Sequence, residues 1–250
     1  TASGSAASFA DWYARWRYRL VPGHLVGEVL SKTWIDSAIP VLTLGLALVV
    51  FSALIPNMLS LASIGDISHT SGEYLLAGLG MTIVVLAGGI DLSVGSVFAL
   101  SNLMMLWLGG VGGLPLWLAG AVSVACGAAV GAINGLLVGY LRLRAFLTTL
   151  VTMIVVRGLV DALLLSHAQT IASVEIQSAS WDYIAFETIA GMSVSFIVAI
   201  VLAVTTHLLL TRLRPGWHLL AVGGSRRAAY NAGIDVRRTV CATYVLSGMF

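Results

Sequence analysis

Long apolar runs separate the polar segments of this chain, and they constrain its fold more than any other feature. Leu116–Tyr140 contains no Asp, Glu, Lys or Arg, and Trp34–Ile55, Phe146–Leu165 and Gly191–Thr211 are similarly apolar. About 20 such residues cross the roughly 30 Å hydrocarbon core of a bilayer as a helix. Only 10% of the residues are charged, whereas soluble domains carry about 25%. The sequence therefore predicts an all-α, polytopic membrane helix bundle.

A carboxylate interrupts another apolar run, which extends from Tyr74 to Trp107. A charged residue at the centre of a membrane helix costs on the order of 3 kcal/mol on insertion scales. Asp91 is flanked by glycines that loosen a helix, and Ser93 can bond freed backbone groups or start a new helix. We predict a break between two apolar segments, Tyr74–Ala87 and Val94–Leu108. Two interpretations stay open: a broken helix that marks a substrate path, or a polar turn at the membrane surface.

The first 33 residues are too polar to span a membrane, but they carry regularly spaced charges and aromatic residues. Asp11, Arg15 and Arg19 recur every four residues, and Trp12 and Trp16 lie beside them. Such helices tend to lie flat at a membrane interface. We therefore predict an amphipathic N-terminal segment over residues 1–33.

The helix predicted over Leu116–Tyr140 carries small residues at four-residue spacing, at Gly127, Gly131 and Gly135. This pattern lets two helix backbones approach closely in lipid. Asn134 lies on or near that face. Its predicted role is an interhelical hydrogen bond, and the alternative is a position along a substrate pathway.

The other polar positions have simpler predicted roles. In the run Phe146–Leu165, Arg157 and Asp161 are predicted to form a structural ion pair along one helix face. Residues 57–72 are predicted to form a polar loop, and 166–190 a polar stretch. Cys126 and Cys241 lie in apolar segments without metal-ligand spacing, so we predict buried free thiols, no metal site and no catalytic residues.

Residues 212–238 form an arginine-rich segment near the end of the chain. Ser225 is predicted to cap a short helix that starts at Arg226, and Gly233 to end it in a left-handed conformation. An apolar helix begins after it at Thr239. We count about seven spans within residues 34–250, of which this last one is incomplete.

The distribution of charge predicts the orientation of the chain in the membrane. Arg and Lys cluster in the N-terminal segment, in the loop of Arg142 and Arg144, and in residues 212–238. The intervening loops at 57–72, 109–113 and 166–190 contain neither Arg nor Lys. The positive-inside rule therefore predicts a cytoplasmic N-terminus and two crossings that turn at or near residues 88–95. The two apolar halves on either side of this turn are each about 15 residues long, and a helix of that length covers only about 22 Å. Because this is less than the thickness of the hydrocarbon core, we predict that the turn lies within the bilayer.

Several motifs together resemble a known family, the permeases of ABC importers of the ribose, xylose and galactose type. The resemblance covers roughly residues 75–250, and its motifs are at Gly80–Thr82, Leu86–Val97, Gly131–Gly135, Phe146–Leu150, Thr152–Leu159, Ala221–Ser225, Arg227–Ala229 and Ala232–Ile234. The family often has Asn in place of Ser225 and Pro in place of Ala145. Its members continue through several more helices after Ser247, so we expect this chain to lack its C-terminal helices.

The resemblance implies a multi-pass permease of the bacterial inner membrane that binds no cofactor itself. Its implied partners are the lipid bilayer, a second copy or a paralogous permease, a periplasmic substrate-binding protein and a cytoplasmic ATP-binding ABC subunit that holds ATP and Mg. A phosphate-binding G-x-x-x-x-G-K-[ST] loop is absent from the sequence, and nothing in it indicates nucleic-acid binding.

The site residues that we predict fall into two groups. The translocation-path group comprises Gly89, Asp91, Ser93, Gly95, Asn102 and Asn134. The ATPase-coupling group comprises Gly223, Gly224, Ser225, Arg226, Arg227, Ala228, Ala229 and Gly233. The predicted substrate is a small neutral solute, in particular a monosaccharide. The alternative function is an ion-coupled secondary transporter that uses Asp91.

Overall fold

The computed structural model describes residues 33–174, 176 and 178–250. The described residues divide into two compact units, residues 33–60 and 61–250. In the first unit, helix α1 covers Thr33–Leu54 and contains Pro40, which agrees to within one residue with the predicted run. The amphipathic helix predicted before it lies outside the described residues.

The second unit is a helical bundle with one short hairpin of strands. Its helices are α2 (Leu61–Leu86), α3 (Val94–Met105), α4 (Leu116–Gly135), α5 (Ala145–Ser166), α6 (Ala168–Ala172), α7 (Ala179–Phe186), α8 (Val194–Arg212), α9 (Arg214–Gly224), α10 (Arg226–Asn231) and α11 (Val236–Met249). Helices α3 and α4 continue as π-helical turns, π1 (Leu106–Val111) and π2 (Leu136–Tyr140). Strands β1 (Thr188–Ile189) and β2 (Met192–Ser193) pair antiparallel between α7 and α8.

Helix α2 begins at Leu61, so the polar loop predicted over residues 57–72 is wrong for most of its length. The physical reason is that the polar side chains share one helix face. Asp66, His69 and Glu73 follow helical spacing, while Gly65 and Gly72 are buried on another side of the helix. Because α2 has 26 residues, the prediction that this half of the broken run is short is also wrong.

Residues 87–93 are non-helical and separate α2 from α3. A cavity beside them is lined by Ala77 and Met81 of α2 and by Val94 and Phe98 of α3, so the two helices lie next to each other. The predicted break near Asp91 is therefore present, whereas the two crossings that turn there stay a prediction.

Helices α4 and α11 pack with their backbones in close contact. A methyl group added to Gly127 would overlap the carbonyl oxygen of Gly248, and one added to Gly131 would overlap that of Tyr244. At Gly135 the added carbon would lie 2.7 Å from the carbonyl oxygen of Cys241. The spacing of small residues thus predicted the contact face of α4 correctly.

The stretch predicted as polar between α5 and α8 contains α6, α7 and the β-hairpin. Thr188 pairs with Ser193 and Ile189 with Met192. The backbone N–H of Ser193 donates to the hydroxyl of Ser68 at 2.8 Å, which attaches the hairpin to α2.

Four helical segments in the described part of the chain are long and apolar enough to cross a membrane. They are Val94–Val111, Leu116–Tyr140, Ala145–Ser166 and Val194–Arg212. Helix α5 leaves Val151, Ile154 and Val155 about 60% exposed, and such an apolar outer surface is expected where a helix contacts lipid. The predicted class, an all-α membrane helix bundle, is confirmed, whereas the count of seven spans stays a prediction.

The predicted ion pair on α5 is present. The Arg157 Nε lies 3.3 Å from the Asp161 Oδ1, and both side chains are more than half exposed. The two cysteines are free and partly buried.

Candidate functional site

The break between α2 and α3 forms the base of the candidate site. Gly88 adopts a φ of 73°, a left-handed conformation that glycine reaches without steric cost. This residue ends α2 and lets the chain turn toward α3. The turn brings Asp91 into the interior, where the residue is only 3% exposed.

Three donors bond the Asp91 carboxylate. Its Oδ1 accepts from the backbone N–H of Ser93 at 2.9 Å and from the Ser93 hydroxyl at 2.6 Å. Its Oδ2 accepts from the Ser247 hydroxyl of α11 at 2.9 Å. Hydrogen bonds to an ionised acceptor are stronger than neutral ones, so these contacts offset part of the free energy of burying a carboxylate.

Ser93 occupies the N-cap position of α3, but its side chain does not accept a hydrogen bond from a backbone N–H of that helix. The hydroxyl instead donates to Asp91 and accepts from the Asn134 Nδ2 at 2.9 Å. Ser93 therefore precedes the new helix, as predicted. Its hydroxyl, however, bonds the side chains of Asp91 and Asn134 and not the backbone at the start of α3.

Asn134 extends this network to two more helices. It is fully buried on α4, and its Oδ1 accepts from the Thr152 hydroxyl of α5 at 2.6 Å. The predicted interhelical hydrogen bond of Asn134 is therefore present. The chain of contacts from Ser247 through Asp91, Ser93 and Asn134 to Thr152, which we call the Asp91 network, joins α11, the break, α4 and α5.

The six predicted path residues do not share one environment. Asp91, Ser93 and Asn134 are buried in the Asp91 network. Gly89 lies within the break itself, where a side chain would meet the Tyr244 hydroxyl at 2.8 Å. The remaining two, Gly95 and Asn102, are exposed on α3.

An open cavity lies directly beside the break. It has a volume of about 350 Å³ and lies between α2 and α3. Gly95 contributes to its wall, together with Leu92, Met81 and, at one end, Glu73 and Tyr74. Of the predicted path residues, Gly95 is the one that lines this cavity.

The predicted coupling residues form a compact capped turn. The Ser225 hydroxyl accepts from the backbone N–H of Ala228 at 3.3 Å at the start of α10. Helix α10 ends after Asn231, and Gly233 follows with a φ of 82°. Both the cap and the left-handed glycine are where the sequence predicted them, and residues 223–233 are hereafter the coupling segment.

The coupling segment contacts the break directly. A methyl group on Gly223 would overlap the carbonyl oxygen of Leu86, and Gly223 also lies against Gly88. Val222 and Ala229 pack in one apolar cluster with Val84 of α2. Sequence reasoning identified both motifs but not this contact, because the two lie more than a hundred residues apart along the chain.

Two functional candidates on α11 were missed by the sequence analysis. Ser247 donates to Asp91, and the Tyr244 hydroxyl donates to the carbonyl oxygen of Ile90 at 3.3 Å. The only local signal was the pair of small residues Ser247 and Gly248. Within residues 33–174, 176 and 178–250, no group of three His, Cys, Asp or Glu side chains is arranged to hold a metal ion.

Comparison with known proteins identifies the class of protein. A family model described as "Branched-chain amino acid transport system / permease component" matches residues 63–250. The chain belongs to this permease family. The match contains both the break and the coupling segment, and the predicted resemblance to importer permeases is confirmed.

Curated relatives of this permease include several sugar transport proteins. It is 33% identical over 211 residues to the D-allose transport system permease protein AlsC of Escherichia coli (strain K12), covering 82% of this chain and 62% of the relative. It is 33% identical over 178 residues to the fructose import permease protein FruF of Bifidobacterium longum (strain NCC 2705), covering 71% and 49%. It is 27% identical over 220 residues to the ribose import permease protein RbsC of Escherichia coli (strain K12), covering 88% and 68%.

These alignments cover about half to two thirds of the length of the curated relatives. No solved structure matches the chain. Its family and its apolar helices make it a multi-pass membrane protein of the permease class.

Proposed function

We propose that this chain is the transmembrane permease subunit of an ATP-driven importer in the bacterial inner membrane. It moves a small neutral solute by alternating access, and a separate ABC subunit hydrolyses the ATP. The observation that carries the proposal is the contact between the coupling segment and the break at Leu86–Gly88.

The coupling segment has properties suited to docking on an ATPase. Helix α10 is short, capped at Ser225 and ended at Gly233, and Arg226 and Arg227 are exposed on it. The positive-inside rule supports a cytoplasmic position for such a segment, on the same side as the N-terminus. A rigid exposed turn held between two helices can transfer a displacement to both of them.

The displacement would reach the Asp91 network by a short route. Gly223 contacts the Leu86 carbonyl with no room for a methyl group, and five residues later along the chain lies Asp91. Because packed cores rearrange between discrete states rather than deform continuously, movement of the coupling segment would change the arrangement of the break. The cavity beside Gly95 would then open or close.

A monosaccharide is the substrate class best supported by the relatives. Three of them carry the names of D-allose, fructose and ribose permeases, while the family description refers to branched-chain amino acids. A neutral sugar suits a cavity that is lined mainly by apolar residues and has Glu73 and Tyr74 as its polar groups. A periplasmic substrate-binding protein would deliver the sugar, and a second permease copy or a paralogue would complete the pathway.

The alternative, an ion-coupled transporter that uses Asp91, has less support. The three donors to the carboxylate are the backbone N–H and the hydroxyl of Ser93 and the hydroxyl of Ser247. These bonds account for the buried carboxylate as a structural element. Uptake driven by an ion gradient in proteoliposomes without any ATPase would favour the alternative.

Substitution of Gly233 tests the coupling role. Gly233→Val places a β-branched residue at a φ of 82°, a conformation that such residues rarely adopt. In proteoliposomes that contain the ATPase, the binding protein and sugar, we expect ATP hydrolysis to continue while uptake falls at least several-fold. Ala232→Val is the matched control, since Ala232 has an ordinary φ of −81°.

Normal uptake by Gly233→Val would contradict the coupling role. Orientation is tested separately by tags after residue 5, at Asp182 and at Gly224 in intact cells. Labelling of the Gly224 tag from outside would refute the importer orientation.

A further inference from the structure

A large basic cavity lies where the end of α4 meets α10 and the start of α11. Its volume is about 1050 Å³. Four arginines line it, namely Arg142, Arg226, Arg227 and Arg237, together with one carboxylate, that of Asp235.

The carboxylate in this cavity is already engaged. The Asp235 Oδ1 accepts from the backbone N–H of Arg238 at 3.1 Å, and its Oδ2 lies 3.1 Å from the Arg238 Nε. Arg238 does not line the cavity. Among the described residues, the four lining arginines form no ion pair, whereas Arg157 and Arg238 do. Within the described part of the chain, the four lining arginines therefore give the cavity a concentrated positive charge that no ion pair neutralises.

Apolar side chains form the floor of the cavity. Val138 in the span Leu116–Tyr140 and Val240 in α11 are buried, while Ile234 and Val236 are partly exposed and can contact a ligand. Arg142 follows directly after π2, which ends the span Leu116–Tyr140. The cavity thus combines a basic rim with an apolar floor at the level where a span leaves the bilayer.

We propose that this cavity binds the headgroup of an anionic phospholipid such as phosphatidylglycerol, with the phosphodiester held by Arg142 and Arg237. Guanidinium groups bind phosphate oxygens with paired hydrogen bonds, and basic pockets between membrane helices bind anionic lipid headgroups. An amphipathic ligand uses both the rim and the floor, whereas an acidic protein segment or a soluble anion uses the rim alone. The site is distinct from the transport path, and it places a bilayer component against the coupling segment.

Native mass spectrometry of the purified full chain in detergent tests this proposal. The chain is titrated with phosphatidylglycerol and, separately, with phosphatidylcholine of the same acyl chains. We expect the anionic lipid to be retained preferentially. The double variant Arg142→Gln/Arg237→Gln should lower that affinity on the order of 30-fold, because each arginine near a membrane surface changes the affinity for an anionic lipid by roughly fivefold.

The matched control is Arg144→Gln/Arg214→Gln, which removes the same charge from exposed arginines that do not line the cavity. It should bind phosphatidylglycerol like the unmodified chain. Circular dichroism and elution volume check that both double variants fold. A third titration uses glycerophosphoglycerol, which has the headgroup without acyl chains, and it should compete only weakly.

Four results would overturn the proposal. Equal retention of the two lipids would show that the headgroup charge does not determine binding, and an equal loss in the control variant would show that general surface charge is responsible. Strong competition by glycerophosphoglycerol would indicate a site for soluble anions. Unchanged lipid binding with lost ATPase association in the Arg142/Arg237 variant would identify a protein-docking surface. Since the titration needs neither sugar nor ATPase, its failure would leave the proposed transport function untouched.

Discussion

Removal of the Ser247 hydroxyl tests whether the Asp91 network holds α11 against the break. Ser247 donates to the Asp91 Oδ2 at 2.9 Å across 156 positions of sequence, and both residues are buried. Ser247→Ala deletes one oxygen atom and changes the packing very little. The Asp91 Oδ2 would then have no other hydrogen-bond partner among the described residues.

The acceptor's charge sets the size of the expected effect. Interhelical hydrogen bonds between neutral side chains in membrane proteins contribute only about 0.6 kcal/mol on average. A hydrogen bond to a charged group contributes about 1.5–3 kcal/mol, and an unsatisfied buried acceptor is itself costly. We therefore expect Ser247→Ala to lower the free energy of unfolding by about 2 kcal/mol.

Ser123→Ala provides the matched control on α4. Ser123 is also buried, but its hydroxyl donates to the carbonyl oxygen of Ala119 within the same helix at 2.9 Å. Such a local bond adds little to helix stability, so the control should change stability by less than about 0.5 kcal/mol.

Reversible unfolding in mixed micelles, followed by circular dichroism as the denaturing detergent increases, gives both free energies. Equal values for Ser247→Ala and Ser123→Ala would refute the reasoning. That result would mean that the Asp91 carboxylate does not depend on α11 for its burial.

Three further substitutions address the packing and the chemistry of the site. Gly131→Val should destabilise the bundle by about 3 kcal/mol, because its side chain would overlap the Tyr244 carbonyl; Gly120→Val, with nothing within 4 Å of the added carbon, is the control in the same unfolding assay. Gly223→Ala should lower the free energy of unfolding by about 1–3 kcal/mol through overlap with the Leu86 carbonyl, whereas Gly224→Ala has open space. Asp91→Asn should keep the fold to within about 1 kcal/mol, since an amide oxygen still accepts from Ser93 and Ser247 can reverse its bond. ATP-driven uptake by that variant should persist, and its complete loss in a folded protein would support an ion-binding role.

Local features of this chain were predictable because their causes are local. The energetic cost of Asp91 in an apolar run, the glycine that turns left-handed and the serine that caps α10 all depend on a few neighbouring residues. The spacing of Gly127, Gly131 and Gly135 likewise identified a contact face on α4. It did not identify α11 as the partner, because spacing along one helix carries no information about the helix that covers it.

The start of α2 shows where reasoning from polarity alone was wrong. Asp66, His69 and Glu73 made residues 57–72 resemble a loop, yet their spacing is helical and small residues lie on another side. Gly72 packs within 3.0 Å of the Phe196 backbone, measured from an added Cβ, so the helix is fixed by contact with α8. A count of polar residues misses this, since a helix can expose one polar face while burying small residues on another.

Helix α11 links the coupling segment to the Asp91 network, and no long loop lies between the segment and the helix. It starts at Val236, three residues after Gly233, and its Asp235 cap accepts from the Arg238 backbone. Its opposite end supplies Tyr244 and Ser247 to the break. Its side toward α4 has no free space at Gly131, so α11 cannot approach α4 more closely. Under the proposed function, a displacement of the coupling segment therefore reaches Asp91 by two routes, through Gly223 and along α11.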